Sequence, residues 1–189
     1  SKHTNKVHGK LNFLIIGVGI LPNTEFISDS EIELEAGSIV VDKFGQTSSS
    51  NIYAAGDCTI HPSRVYERML KLESVQNAND QARVVAANIC GKETIYDTVP
   101  WFWSDQYSIK LQMAGLGQGF DEIVVRGNMN AGLESSFSLF YLREKVLLAT
   151  DCVSRPKEFM MSKQLIKNRS LLDSSVLSDE SVEPLNFLS

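Results

Sequence analysis

Residues 47–58 form the stretch T-S-S-S-N-I-Y-A-A-G-D-C. It divides into a polar turn, a short apolar strand Ile52-Tyr53-Ala54-Ala55, and a Gly56-Asp57 corner. The small residues Ala54, Ala55 and Gly56 let a ligand come close to the backbone. Asp57, when ionised, can only accept hydrogen bonds, so the corner is a seat for hydroxyl donors. In open α/β sheets ligands lie beyond the carboxyl ends of strands, which is where Asp57 is expected.

Upstream, residues 11–16 (L-N-F-L-I-I) are almost continuously apolar, the pattern of a strand buried on both faces of a parallel sheet. They run into Gly17-Val18-Gly19-Ile20-Leu21-Pro22-Asn23. As a dinucleotide phosphate loop this segment fails, because the third glycine is missing and Pro22 stands where the helix should begin. Residues 1–10 are polar, with His3 and His8 at no metal-binding spacing. Residues 24–30 are expected as a short helix and 37–42 as a strand bounded by Gly45.

Downstream, His61-Pro62 reads as a loop. Residues 72–78, L-E-S-V-Q-N-A, open the clearest helix of the chain. Ser74 or a neighbour caps it, and Gly91 stops it. Val75, Ala78, Ala82, Val85, Ala86 and Ile89 recur at helical spacing and are expected as its buried face. Residues 99–106, V-P-W-F-W-S-D-Q, hold both tryptophans and open a second unit. Of these two indoles, one is expected to face the core and the other a ligand. Strands follow at 110–114, 122–126, 136–142 and 145–150, with glycine and asparagine turns between them, and Arg155-Pro156 introduces a helix over about 157–168. Residues 171–189 are rich in serine and acids and are expected to be extended or partly disordered.

The 189 residues, 43% hydrophobic and 22% charged, suit one sizeable soluble domain or two small ones. No membrane span is legible, and the run at 11–21 lacks the basic segment and cleavage site of a signal peptide. The net charge of −5 argues against nucleic acid or an anionic membrane as the main partner. Cys58, Cys90 and Cys152 stand far apart, which suggests neither a metal knuckle nor a redox dithiol. A reducing, cytoplasmic setting follows, with the cysteines as buried, inert hydrophobes.

T-S-x-x-x-I-Y-A-A-G-D-C resembles the second FAD-binding motif of the pyridine-nucleotide flavoprotein reductases. The helix sequence L-E-S-V-Q-N-A-x-D-Q-A-R and the segment V-P-W-F-W-S-D-Q are similar to the ferredoxin, rubredoxin and putidaredoxin reductase branch of that family. G-x-G-x-x-P-N matches the segment where the chain returns from the NAD-binding to the FAD-binding domain. The resemblance covers residues 11–170. It implies an α/β fold with 11–98 as the C-terminal part of a Rossmann-like FAD-binding domain, 99–170 as a small α+β reductase domain, and 171–189 as a tail.

The implied activity is an FAD-dependent NAD(P)H oxidoreductase that passes electrons to a ferredoxin-type iron-sulfur protein or a rubredoxin. Gly56 and Asp57 would meet the ribityl and phosphate region of FAD. The backbone of Val75 and Gln76, at the positive end of a helix, would meet the flavin pyrimidine edge. Trp103 would lie over the ring, and Glu73 would reach the nicotinamide carboxamide. Both glycine-rich fingerprints, which the family carries earlier in its chain, are absent from these residues. The isolated chain is therefore expected to be an inactive part of a longer enzyme. The alternative is a truncated interaction or dimerisation module, since this C-terminal unit often packs against partners or subunits, including a homodimer. A disulfide reductase is weakened as a third alternative by the absent dithiol.

Overall fold

The computed structural model describes residues 12–188 and holds two β-sheets. The first has the order β1-β2-β3-β4, formed by β1 (Leu34–Glu35), β2 (Ser38–Val40), β3 (Thr59–Ser63) and β4 (Arg68–Lys71). β2 and β3 run parallel, with Ile39 opposite Thr59, and the outer pairs are antiparallel. Ala36 and Gly37 both take positive φ between β1 and β2. A two-residue turn of that kind matches the twist of a tight hairpin. Helix α1 (Val75–Ile89) follows; the Ser74 side chain accepts from the Asn77 N–H as its N-cap, and Gly91 ends it at φ +74.

The second sheet is antiparallel in the order β5-β6-β9-β8-β7, from β5 (Trp101–Gln106), β6 (Ile109–Gly115), β7 (Glu122–Asn128), β8 (Ser136–Arg143) and β9 (Val146–Val153). Its buried residues include Phe140 and Leu142 on β8 and Leu147 on β9. They meet Phe159, Leu165 and Ile166 of α2 (Pro156–Lys167), which starts with proline at its first turn. Tyr66, between β3 and β4, joins the two units: its hydroxyl donates to the Leu148 carbonyl at 3.0 Å and accepts from the Leu116 N–H at 2.8 Å. Burial pushes this phenol up to about 12. A Cβ at Gly115 would collide with the Leu148 carbonyl and the Tyr66 hydroxyl, so only glycine lets the seam close.

Several elements differ from the sequence-based expectation. Leu11 lies outside the described residues, but 12–16 form no strand, and Ile15 is 84% exposed. A strand needs a neighbour for its backbone groups, and no described segment pairs with this one. Residues 52–55 make one bridge, Tyr53 to Gln46, instead of a strand. His61-Pro62, expected in a loop, lies inside β3. The expected helix at 24–30 is one tight turn at Glu25–Ile27.

The burial of α1 is also inverted. Its buried residues are Gln76, Asn77, Gln81 and Val84, while Val75 and Ile89 are exposed. The segment after residue 170, expected to be extended or disordered, instead forms α3 (Ser174–Ser178) and a turn at Pro184–Asn186, burying Leu177 and Phe187. Arg126 of β7 holds it by donating to the carbonyls of Leu177, Asp179 and Val182, and the same guanidinium meets Glu158 of α2 at 3.2 Å.

Candidate flavin site

The Gly56-Asp57 corner is built by backbone chemistry. Gly56 sits at φ +88, a conformation that side-chain-bearing residues rarely adopt, while a Cβ there would make only an ordinary 3.5 Å contact with the Cβ of Ala78. Glycine is therefore required here by φ and not by space. That same contact places the corner directly on the first turns of α1. The Gly56 N–H donates to Gln81 Oε1 at 2.6 Å, and the Gly56 carbonyl accepts from the Thr59 N–H and hydroxyl. Asp57 thus lies in the turn that enters β3, not at the carboxyl end of a strand as expected. Its carboxylate is half-buried and has no hydrogen-bond or ion-pair partner among the described residues. Cys58 beside it is raised, first by burial and also by the Asp57 charge.

On α1, the Asn77 N–H is taken by the Ser74 hydroxyl and the Ala78 N–H by the Ser74 carbonyl. The Val75 and Gln76 amides precede them and by helix geometry have no intrahelical acceptor. The Gln76 side chain is occupied elsewhere: its NH2 donates to Asp80 and Thr98, and its oxygen accepts from the Trp101 N–H at 3.2 Å. The last bond ties the start of β5 to the first turn of α1. Glu73 is exposed and pairs with Lys71 at 2.8 Å.

Trp101 and Trp103 lie on the same face of β5 rather than on opposite ones. Alternation along a strand puts residues i and i+2 on one face, and the two indoles stand beside each other, with centroids 5.5 Å apart and planes at 35°. Trp101 packs on Phe159 and under the Lys163 ammonium, 5.1 Å from its ring, whereas Trp103 remains 47% exposed.

The residues that hold these parts together escaped the sequence reading. His61, Gln81, Tyr96 and Asn77 form a buried polar cluster behind the corner. His61 Nδ1 lies 3.0 Å from Gln81 Nε2, and the Tyr96 hydroxyl donates to Asn77 Oδ1 at 2.8 Å. Burial lowers the His61 imidazole to about 4. The available signal was Asn77 and Gln81 at i and i+4, one polar face of an amphipathic helix. Among the described residues no group of His, Cys, Asp and Glu could hold a metal ion, and no helix is long and apolar enough to cross a membrane.

Two family models match the chain: pyridine nucleotide-disulphide oxidoreductase over residues 2–82 and reductase C-terminal over residues 101–186. A putidaredoxin reductase from Pseudomonas putida is 44% identical over 171 residues, 90% of this chain and 40% of the relative. A ferredoxin–NAD(P)(+) reductase from Sphingomonas is 38% identical over 179 residues, 94% of this chain and 42% of the relative. In the crystal structure of the covalent putidaredoxin reductase–putidaredoxin complex, one chain superposes with a TM-score of 0.83 at 43% identity, over 91% of this chain and 40% of that one. The chain thus spans about two fifths of the length of the relatives it matches.

Proposed function

The chain belongs to the ferredoxin, rubredoxin and putidaredoxin reductase family of pyridine-nucleotide flavoproteins, and from that premise we propose that it forms the flavin-seating and C-terminal portion of an FAD-dependent NAD(P)H:ferredoxin-type reductase. The observation that carries this is the packing of the Gly56-Asp57 corner on the first turns of α1. It places Asp57, whose carboxylate is unpaired among the described residues, beside the first turns of α1, where the Val75 and Gln76 amides lack intrahelical acceptors. Gln76 in turn holds the strand that carries the exposed Trp103. A flavin with a ribityl chain has the complementary groups, hydroxyl donors along the chain and acceptors at the pyrimidine edge, so the residues present fit it. When bound, FAD supplies a centre that accepts a hydride from a nicotinamide and gives up electrons singly.

This chain contributes position and electrostatics. Asp57 would accept hydrogen bonds from the ribityl hydroxyls and so hold the cofactor at a point away from its reacting atoms. The Val75 and Gln76 amides, at the positive end of α1, favour negative charge at the pyrimidine edge. Trp103, braced by Trp101, would cover the ring of a bound flavin and exclude water from it. Glu73 is the candidate for the nicotinamide carboxamide, and using it requires release from Lys71. The acceptor is a ferredoxin- or rubredoxin-type protein, and the free thiols Cys58, Cys90 and Cys152 suit a reducing cytoplasm.

In the flavin-loaded reductase, Asp57→Ala is expected to lower FAD occupancy more than it slows hydride transfer in the molecules that stay loaded. Losing a charge-assisted hydrogen bond costs roughly 1.5–3 kcal/mol. Equal flavin content in variant and parent, by absorbance, refutes the assignment of Asp57. The exposed apolar residues Phe13, Leu14, Ile15 and Ile16 favour a second reading, an interaction module acting without catalysis. A flavin absorbance spectrum of the full-length protein that contains this chain separates the two, a stoichiometric flavin supporting the reductase and its absence the interaction module.

A further inference from the structure

The buried polar face of α1 carries hydrogen bonds whose direction can be assigned atom by atom. The Gly56 N–H can only donate, so the Gln81 atom 2.6 Å from it is the amide oxygen. That oxygen is also 2.9 Å from the Thr59 hydroxyl, whose single proton is shared with the Gly56 carbonyl at 2.8 Å. Gln81 must therefore turn its NH2 towards His61 Nδ1, 3.0 Å away. Nδ1 is then an acceptor, and the imidazole is neutral with its proton on Nε2. Beyond it, the His61 and Tyr96 rings meet edge to face, with centroids 4.9 Å apart. The Tyr96 hydroxyl donates to Asn77, whose own N–H is bonded to the Ser74 cap.

We propose that Gln81, aligned by His61 in its Nε2–H tautomer, is a positioning residue that holds the Gly56-Asp57 corner against α1, so that the Asp57 carboxylate and the helix amides address one ligand together. The identity of that ligand as FAD rests on the function proposed above. A proton on His61 Nδ1 would set donor against donor, and Gln81 would have to turn and release the Gly56 amide. Around the imidazole lie Gln81 of α1, Leu70 of β4 with Leu72 beyond it, and Tyr96 and Asp97 of the connector, with Asn77 of α1 bonded to Tyr96. Asp97 is engaged by Arg64 at 2.8 Å, and Lys71 of β4 by Glu73. None of these charges is hydrogen-bonded to the ring, consistent with burial alone keeping it neutral down to about pH 4.

Nitrogen-15 NMR of the 189-residue chain tests the linkage directly. The Nε2–H tautomer is expected at pH 7, and on acidification the Gly56 amide should shift and lose exchange protection with the same midpoint as His61. In the flavin-loaded reductase, Gln81→Leu is expected to weaken FAD binding roughly tenfold, the loss of one or two neutral hydrogen bonds. Gln81→Glu keeps the acceptor for Gly56 and demands a donor from His61. It should restore Gly56 protection while moving the His61 midpoint upward, which a merely space-filling role would not do. An Nδ1–H tautomer at pH 7, a Gly56 amide indifferent to His61 titration, or FAD binding unchanged in Gln81→Leu would each overturn the proposal. A parent reductase that binds no FAD would overturn the flavin assignment instead, and the NMR linkage would still stand or fall by itself.

Discussion

Replacing Trp103 by alanine distinguishes a cofactor lid from a core residue. The side chain is 47% exposed, and among the described residues its ring neighbour is Trp101 at 5.5 Å. A fully buried tryptophan removes roughly 150–250 Å² from water, so half burial removes about 100 Å². At about 25 cal/mol per Å² that is about 2.5 kcal/mol, an upper value because the unfolded chain already shields part of the ring. Trp103→Ala should therefore cost about 2 kcal/mol and lower the melting temperature by about 4–8 °C. Trp101, packed against Phe159 and Lys163 as well, provides the internal standard, with a loss of about 3–5 kcal/mol expected for its alanine variant. Thermal melts by circular dichroism and flavin fluorescence of the loaded reductase are read on the same samples. Trp103→Ala should perturb the flavin signal and electron delivery while melting above Trp101→Ala. A Trp103→Ala melting temperature as low as that of Trp101→Ala, with flavin spectra unchanged, refutes the lid.

Three further outcomes are expected. The 189-residue chain alone should bind FAD weakly and oxidise no NAD(P)H, because the corner, α1 and Trp103 would address only part of the cofactor; a stoichiometrically yellow protein would contradict this. Arg126→Ala breaks a buried pair with Glu158 and frees three carbonyls of the C-terminal segment, so it should cost about 3–5 kcal/mol and open residues after 170 to protease, and an unchanged urea midpoint would sink it. His61, held to about 4 against an ordinary 6.5, binds fewer protons folded than unfolded, so its contribution to stability is complete above pH 6.5 and lost as pH falls towards 4. The loss approaches roughly 3 kcal/mol, and urea titrations of parent and His61→Gln between pH 7 and 4 should show the parent's slope vanish in the variant.

Local chemistry was legible in the sequence wherever neighbours in the chain decide it. Ser74 capping α1, Gly91 ending it, Pro156 opening α2, and the glycine turns between β6 and β9 depend on residues a few positions apart. The motif at 47–58 likewise pointed to Gly56 and Asp57 as a corner. Periodicity showed that α1 has an apolar and a polar face but could not show which one is covered. His61 and Tyr96, remote in sequence, satisfy Gln81 and Asn77, and that makes burial of the polar face affordable. The segment after 170 was misread for the same reason. Its serines and acids suggest solvent, yet the Arg126 guanidinium on β7, some fifty residues earlier, satisfies its carbonyls while Leu177 and Phe187 enter the core. Composition and spacing determined the two longer helices, the strands of the second sheet and the turns between them. Which face of each element is buried was decided only by tertiary contacts, because a buried polar group is tolerated only when its hydrogen-bond partner arrives from elsewhere in the fold.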